Sequence, residues 1–432
     1  MENEPSYPAW RWLLLFGTLL VAATLAVPSG KNWLAEKWAR SPQPENWLRA
    51  AQLESGNAEH WYRLGRYRQL DFEHMDPALA IFYYRRALAI DRRSATFWMD
   101  LAGAYETAGD TAQAHVAFET AKSVYPISGE VAWRYGNFLL RQGQLPEAFA
   151  EIRRAVTTDH KLATLATSRC WRSSRDIERV LDQALPAETP VYLQALDFVV
   201  AEREDDAALA VWKRLMALHP SFELGRAFLL IDELIQRDRL DDAKRVWQEA
   251  LGTAGWSQPE LLSGSLVWDG GFEGNFANGG FGWREKDVEG VTIDFDTEVR
   301  HAGTRSLRVT FGGTANVSLE APYQFVPVEP NRRYRFAAYL RTEGISTDSG
   351  VRFWIFDPKR PGYLNVLTPS LIGSQPWALD ELDFTTGPHT RVIEIALRRL
   401  PSQKFDNKIQ GTVWVDEVSL IPLAQEAARR SP

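Results

Sequence analysis

The sequence predicts a multidomain α + β chain with an N-terminal membrane helix, an α-solenoid of helical hairpins and a C-terminal antiparallel β-sandwich. Three observations carry this. An uncharged apolar run lies near the start, a pattern recurs about every 34 residues through the middle, and apolar residues fall at alternate positions toward the end. The expected divisions are 1–30 (membrane anchor or signal segment), 31–56 (linker and lead-in helix), 57–255 (helical repeats), 256–422 (β-sandwich) and 423–432 (disordered tail). Composition agrees with folded domains, at 45% hydrophobic and 24% charged over 432 residues.

The first element is the run WLLLFGTLLVAATLAV over residues 12–27, closed by Pro28, Ser29 and Gly30. At about 1.5 Å per residue it covers roughly 24 Å, somewhat less than a hydrocarbon core of about 30 Å. Trp10, Trp12 and Trp33 flank it, where indoles favour the bilayer interface. It reads as an uncleaved signal anchor, as a cleaved signal peptide with a small-residue site near Ala26, or as a buried helix. Lys31, Lys37 and Arg40 behind the run outnumber Arg11 before it, which by charge bias puts the rest of the chain in the cytoplasm. The character of the C-terminal half argues for a periplasmic or extracytoplasmic body instead, so the two indications conflict.

In the middle element, Trp98, Leu101, Tyr105, Gly109, Ala114, Phe118, Ala121 and Pro126 set the pattern. Ala80, Tyr84 and Ala87 precede Ala114, Phe118 and Ala121 by 34 positions, and Gly143, Ala148, Ile152 and Ala155 follow at the same interval. Trp61, Leu64 and Gly65 open the earlier repeat, ahead of a short insertion at residues 73–76. Small residues allow two helices to approach, and large ones fill the gap to the next hairpin. The spacing resembles the tetratricopeptide (TPR) repeat. That resemblance implies an array docking a protein partner on a concave surface lined by the first helix of each repeat. Arg63, Arg66, Asp100, Arg134 and Asn137 are the expected exposed residues there, the alternative being ordinary solvated helix positions. The pattern lapses after residue 160, where residues 170–185 read as one charged amphipathic helix. It resumes with Tyr192, Ala195, Val199, Ala208, Trp212 and Leu215, then with Leu230, Ala243, Trp247 and Ala250. Five hairpins and one irregular pair are expected.

Past Gly255 the period changes to two. Leu307, Val309 and Phe311, Phe336 and Ala338, Phe353 and Ile355, Ile393, Ile395 and Leu397, and Val413 and Val415 alternate with polar residues, as in a half-buried sheet. The run Asp269-Gly270-Gly271-Phe272-Glu273, then Gly282-Trp283, the segment from His301 to Val309, and Trp414-Val415-Asp416-Glu417 resemble jelly-roll carbohydrate-binding modules attached to xylanases and cellulases, within the galactose-binding-like fold. The resemblance implies one structural calcium ion held by Glu273 and Asp416 with main-chain oxygens around residues 301–303. Without metal, both would be hydrogen-bonded turn residues. It also implies a sugar platform of aromatic rings bordered by polar groups. Trp283, Tyr339, Trp354, Phe356, Tyr363 and Trp377 are the rings available, with Arg341, Arg352, Asp357 and Asn365 as polar partners. Trp354 and Phe356 share one face of their strand and Phe353 and Ile355 the other. Sequence does not say which face is inside.

A formal charge of −7 argues against a general nucleic-acid binder, which needs a basic face. The single cysteine, Cys170, excludes an intramolecular disulfide and a Cys-rich zinc site, and beside Trp171 it reads as a buried small residue. Seven scattered histidines give no metal-binding spacing, and there is no phosphate-cradling glycine loop or recognisable carboxylate pair. These features describe a non-catalytic, membrane-anchored envelope scaffold, docking a protein through its repeats and binding a glycan or second protein through the sandwich. Surface polysaccharide assembly or export is the expected setting. The alternatives are a glycan-processing enzyme with an unrecognised active site, and a protein-interaction adaptor on the cytoplasmic face.

Overall fold

The computed structural model describes residues 9–254 and 264–424, so the expected C-terminal tail lies almost wholly outside the described residues. The chain divides into two compact units, Met1–Pro186 and Ala187–Pro432. The division therefore falls inside the helical array, well before the change of period near Gly255.

In the first unit, α1 (Ala9–Ala39) runs unbroken through Pro28, so residues 31–39 continue the apolar helix. It is long and apolar enough to cross a membrane, and its apolar stretch is unburied. Its last turns pack Ala35 and Ala39 against Ala50 of α2 (Pro44–Leu53). Three regular hairpins follow: α3 (Ala58–Leu70) with α4 (Pro77–Ile90), α5 (Ala95–Thr107) with α6 (Thr111–Val124), and α7 (Gly129–Arg141) with α8 (Leu145–Thr158). The side chains of Asn57, Asp76, Ser94, Asp110 and Ser128 accept the orphan N–H groups that open α3 to α7. Asp76 is thus the device that restarts the helix after the insertion. Ala80, Ala114, Ala121, Ala148 and Ala155 are fully buried where paired helices touch. Stacked rings join successive hairpins, Tyr62 on Phe97 at 4.3 Å and Phe118 on Tyr135 at 5.3 Å.

Residues 170–185 do not form the single helix expected of them. The helix α9 (Ala163–Ser174) ends where Arg175 turns left-handed (φ 52°), Asp176 caps α10 (Ile177–Arg179), and a π turn spans Val180–Ala184. The break lets Val180, Leu181 and Ala184 all turn inward. Cys170 is buried as expected, and that burial pushes its thiol up to about 12.

The second unit opens with two further hairpins, α11 (Thr189–Ala201) with α12 (Asp205–Met216) and α13 (Phe228–Gln236) with α14 (Leu240–Thr253). The sandwich follows as β1 (Val291–Asp296), β2 (Ser306–Gly312), β3 (Leu319–Pro327), β4 (Arg333–Ile345), β5 (Arg352–Phe356), β6 (Asn365–Leu367), β7 (Gly373–Thr385), β8 (Val392–Arg399) and β9 (Gln410–Pro422). These make a five-stranded sheet ordered β1-β2-β9-β4-β7 and a four-stranded sheet ordered β3-β8-β5-β6, with antiparallel pairing throughout. Every alternating apolar residue named above is buried between the sheets.

The last hairpin is built onto the sandwich. Asp232 of α13 accepts both terminal nitrogens of Arg284, at 2.5 and 3.0 Å, and the Gly280 amide at 3.1 Å. Trp247 of α14 packs edge-on against Trp268 and Phe281. Gly279 and Gly280 are required here, because a Cβ on them would lie 2.2 Å from Phe228 and 2.5 Å from Trp247. Lys359 donates to the Ile235 carbonyl, and Arg391 pairs with Asp241.

Candidate functional site

On the helical array, the expected partner-binding residues form two groups. Asp100 bridges hairpins by accepting Tyr62 Oη at 2.7 Å and pairing with Arg134 at 2.7 Å. Burial and this bond raise the Tyr62 phenol. Asn137 is buried, accepting a bond from Arg169 and donating to the Trp133 carbonyl, so it is not the exposed residue expected. Arg63 is exposed but stacks on Trp47 and bonds to the Ala39 carbonyl. Arg66 is exposed beside the Tyr62 ring.

In the sandwich, the expected sugar-binding residues separate onto opposite surfaces. Trp283 belongs to neither: it is buried in the core against Phe272 and donates to the Asp269 carbonyl, because the Gly282-Trp283 turn closes the end of the sandwich. Tyr339, Arg341 and Trp377 lie on the outer face of the five-stranded sheet. Tyr339 stacks on His301 at 3.7 Å, His301 pairs with Glu417 and meets Trp377 edge-on, and Arg341 lies over Trp414. Trp414 donates to Asp296, which Arg308 also holds at 2.9 Å. Burial opposes ionisation of Asp296, but bonds from Trp414 and the Val299 and Glu298 amides, with the Arg308 charge, hold its carboxyl down at about 2. The polar groups of this face largely satisfy one another.

The outer face of the four-stranded sheet is organised differently. Strand register places Glu394 of β8 directly between Phe325 of β3 and Phe356 of β5, and Ala396 between Tyr323 and Trp354. Arg398 comes next, opposite Glu320 on one side and Arg352 on the other. Two aromatic walls thus flank a small or carboxylic floor, with arginines at one end. Trp354 stacks on Phe356 at 3.7 Å, donates to Asn365 at 2.7 Å and carries the Arg398 guanidinium 3.6 Å above its ring. The Nε atoms of Arg352 and Arg398 are buried without hydrogen-bond partners. Phe353 and Ile355 face the core, which settles the question that alternation alone left open. Tyr363 is exposed outside this ladder, and Asp357 is a buried turn residue accepting the Lys359 and Arg360 amides and Thr390 Oγ.

Tyr323, Phe325, Glu394 and Arg398 were not among the sequence candidates. Their signal was present, since they occupy the alternate positions to Val326, Ile393, Ile395 and Leu397, but placing them side by side needs the register. The flanking rings desolvate Glu394 and push its carboxyl up to about 7, an effect that Glu320 reinforces and Lys286 and Arg284 oppose. Because the folded state holds this proton more tightly than the unfolded chain, the associated stability is present at acid pH and lost as pH rises through about 7. Glu394→Gln is therefore expected to unfold at a higher temperature than wild type at pH 8, by about 1–2 kcal/mol after allowance for partial exposure, and to match it at pH 4. Melting curves at the two pH values check this.

Glu273 and Asp416 do converge on one loop, as expected for a calcium site. Asp416 accepts the amides of His301, Ala302 and Glu417 at 2.8–3.0 Å, and Glu273 accepts the Thr304 amide at 2.8 Å and its hydroxyl. Burial raises the Asp416 carboxyl despite those amides. Both carboxylates face N–H and O–H donors, and no group of three acidic, histidine or cysteine side chains gathers among the described residues. So arranged, the pair forms a hydrogen-bonded clamp on the loop around residues 301–304.

No family model matches the chain, and no curated protein matches it. Among solved structures it is similar to YrrB, a TPR protein with an unusual peptide-binding site, at 15% identity over 49% of this chain and 94% of that one (TM-score 0.27). It is similar to Pseudomonas aeruginosa PilF at 19% identity over 46% and 93% (TM-score 0.25). A third is the CBM22-1 xylan-binding domain of Paenibacillus barcinonensis Xyn10C, at 16% identity over 38% and 97% (TM-score 0.27).

Proposed function

We propose that this protein is a membrane-tethered, non-catalytic scaffold whose helical repeats dock a protein partner and whose sandwich holds a glycan on the outer face of the four-stranded sheet. The observation that carries the reading is the ladder of Tyr323, Phe325, Trp354 and Phe356 around Glu394 and Ala396, bordered by Asn365, Arg352 and Arg398. Sugar rings bind aromatic surfaces with polar side chains at their margins, and β8 and its neighbours bring both together, Trp354 offering its edge because Phe356 and Arg398 cover its two faces. The opposite face is the weaker choice because its charges are already paired. We place the body outside the cytoplasm, in surface polysaccharide assembly or export, with Arg66 and Arg134 on the partner-docking surface of the repeats.

The test is retention of the full chain, in detergent, on a panel of immobilised polysaccharides, with reducing-end release measured alongside. Binding without turnover is expected. Failure to bind any polysaccharide removes the glycan half of the reading, and turnover removes the non-catalytic half. An active periplasmic reporter fused after the last residue supports the outward body; a silent one returns the cytoplasmic adaptor. Calcium enters only as a stabiliser. If Glu273 and Asp416 work as a hydrogen-bonded clamp, excess chelator leaves the melting temperature unchanged, whereas Asp416→Ala lowers stability by about 1–3 kcal/mol. A chelator-dependent drop restored by calcium would reinstate the ion.

A further inference from the structure

The glycan reading above leaves the class of sugar open. From the basic end of the ladder we infer that the preferred ligand is an acidic polysaccharide, its uronate carboxylate seated on Arg352 and Arg398 while the sugar ring lies beside them against the outward edges of the Trp354 and Phe356 stack.

Arg352 and Arg398 are direct cross-strand partners in the β5–β8 pair. Like charges in that relation destabilise a sheet, and an anion between them reverses the sign. Within the protein, the nearest carboxylate is Glu320, 3.4 Å from Arg398 alone. The Nε atoms of both arginines are buried, so the terminal nitrogens are what a ligand would meet. The Arg398 guanidinium is also held in place, stacked 3.6 Å above Trp354, which reduces the ordering cost of binding. A planar fork of N–H donors matches a carboxylate, and two adjacent forks match it better than a lysine pair would.

The spacing also fits. Arg352 and Trp354 are two residues apart on one strand face, a separation of about 7 Å, comparable to the reach from a pyranose ring to its carboxylate's partner. Glu394 occupies the other end of the ladder beside Phe356, away from the Arg352 and Arg398 pair. The local charge is notable because the chain as a whole carries −7. Without a built cationic pair, such a protein would repel an acidic polymer.

The test compares polygalacturonate with the same polymer after carboxyl reduction, both offered to the unmodified full chain in affinity electrophoresis. A retardation at least tenfold stronger for the acidic form is expected, falling with salt. The double variant Arg352→Gln/Arg398→Gln should lose this preference and its salt dependence, its fold checked by melting temperature. Equal binding of the two forms by the wild-type chain overturns the inference yet leaves a glycan site standing. Binding of neither these nor any neutral polysaccharide overturns the broader reading and this one together.

Discussion

Asp232→Ala is expected to lower the stability of the second unit by about 3 kcal/mol, because it leaves the Arg284 guanidinium largely buried and without its bidentate partner. The same change removes the acceptor of the Gly280 amide in the loop that fits between Phe228 and Trp247. For a unit of this size the midpoint should fall on the order of 5–10 °C. Removing both charges, Asp232→Ala with Arg284→Met, should cost less than Asp232→Ala alone, since no orphaned charge then remains. Calorimetry of the full chain, Asp232→Ala, Arg284→Met and the double variant reads this. If Asp232→Ala leaves every transition in place, or if the double variant falls by the sum of the singles, the hairpin α13–α14 is not energetically joined to the sandwich.

Trp354→Ala is expected to abolish glycan binding, with a loss of about 2 kcal/mol or more, roughly 30-fold at the least. The indole supplies one wall of the ladder, positions Phe356 by stacking, and is the platform on which Arg398 rests. Trp354→Phe, which keeps a ring, should retain part of the affinity. Tyr339→Ala on the opposite sheet should retain all of it. A reversal, with binding lost in Tyr339→Ala and unaffected in Trp354→Ala, would move the site to the His301, Tyr339 and Trp377 cluster. Surface plasmon resonance on a bound polysaccharide distinguishes the two, and circular dichroism of each variant guards against simple unfolding.

Joining the last hairpin to the sandwich has a consequence for how a scaffold could be assembled. The repeat pattern treats α11 to α14 as more of the same array, yet the folded unit that contains the aromatic ladder begins at Ala187. A fragment beginning at Gly264 would expose Phe281, Trp268 and the docking glycines, and would lose the Asp232 contact to Arg284. Binding studies on the sandwich are therefore better made with the whole chain or from Ala187 onward.

Periodicity alone determined the kinds of element. A 34-residue interval with small residues at the helix contacts requires stacked hairpins, and alternation at Ile393, Ile395 and Leu397 requires a strand with one buried face, because both follow from local backbone geometry. The apolar run likewise determined a helix able to span a membrane. Tertiary structure alone decided that Trp354 and Phe356 face outward, that Trp283 is core, that Asn137 is buried, and that Glu394 and Arg398 stand beside residues 70 positions or so away on β3. The physical reason is range. A period records which residues share a face of their own element, whereas register and docking are set by contacts such as Phe325 with Glu394 or Asp232 with Arg284, between segments whose spacing in sequence carries no trace of their meeting.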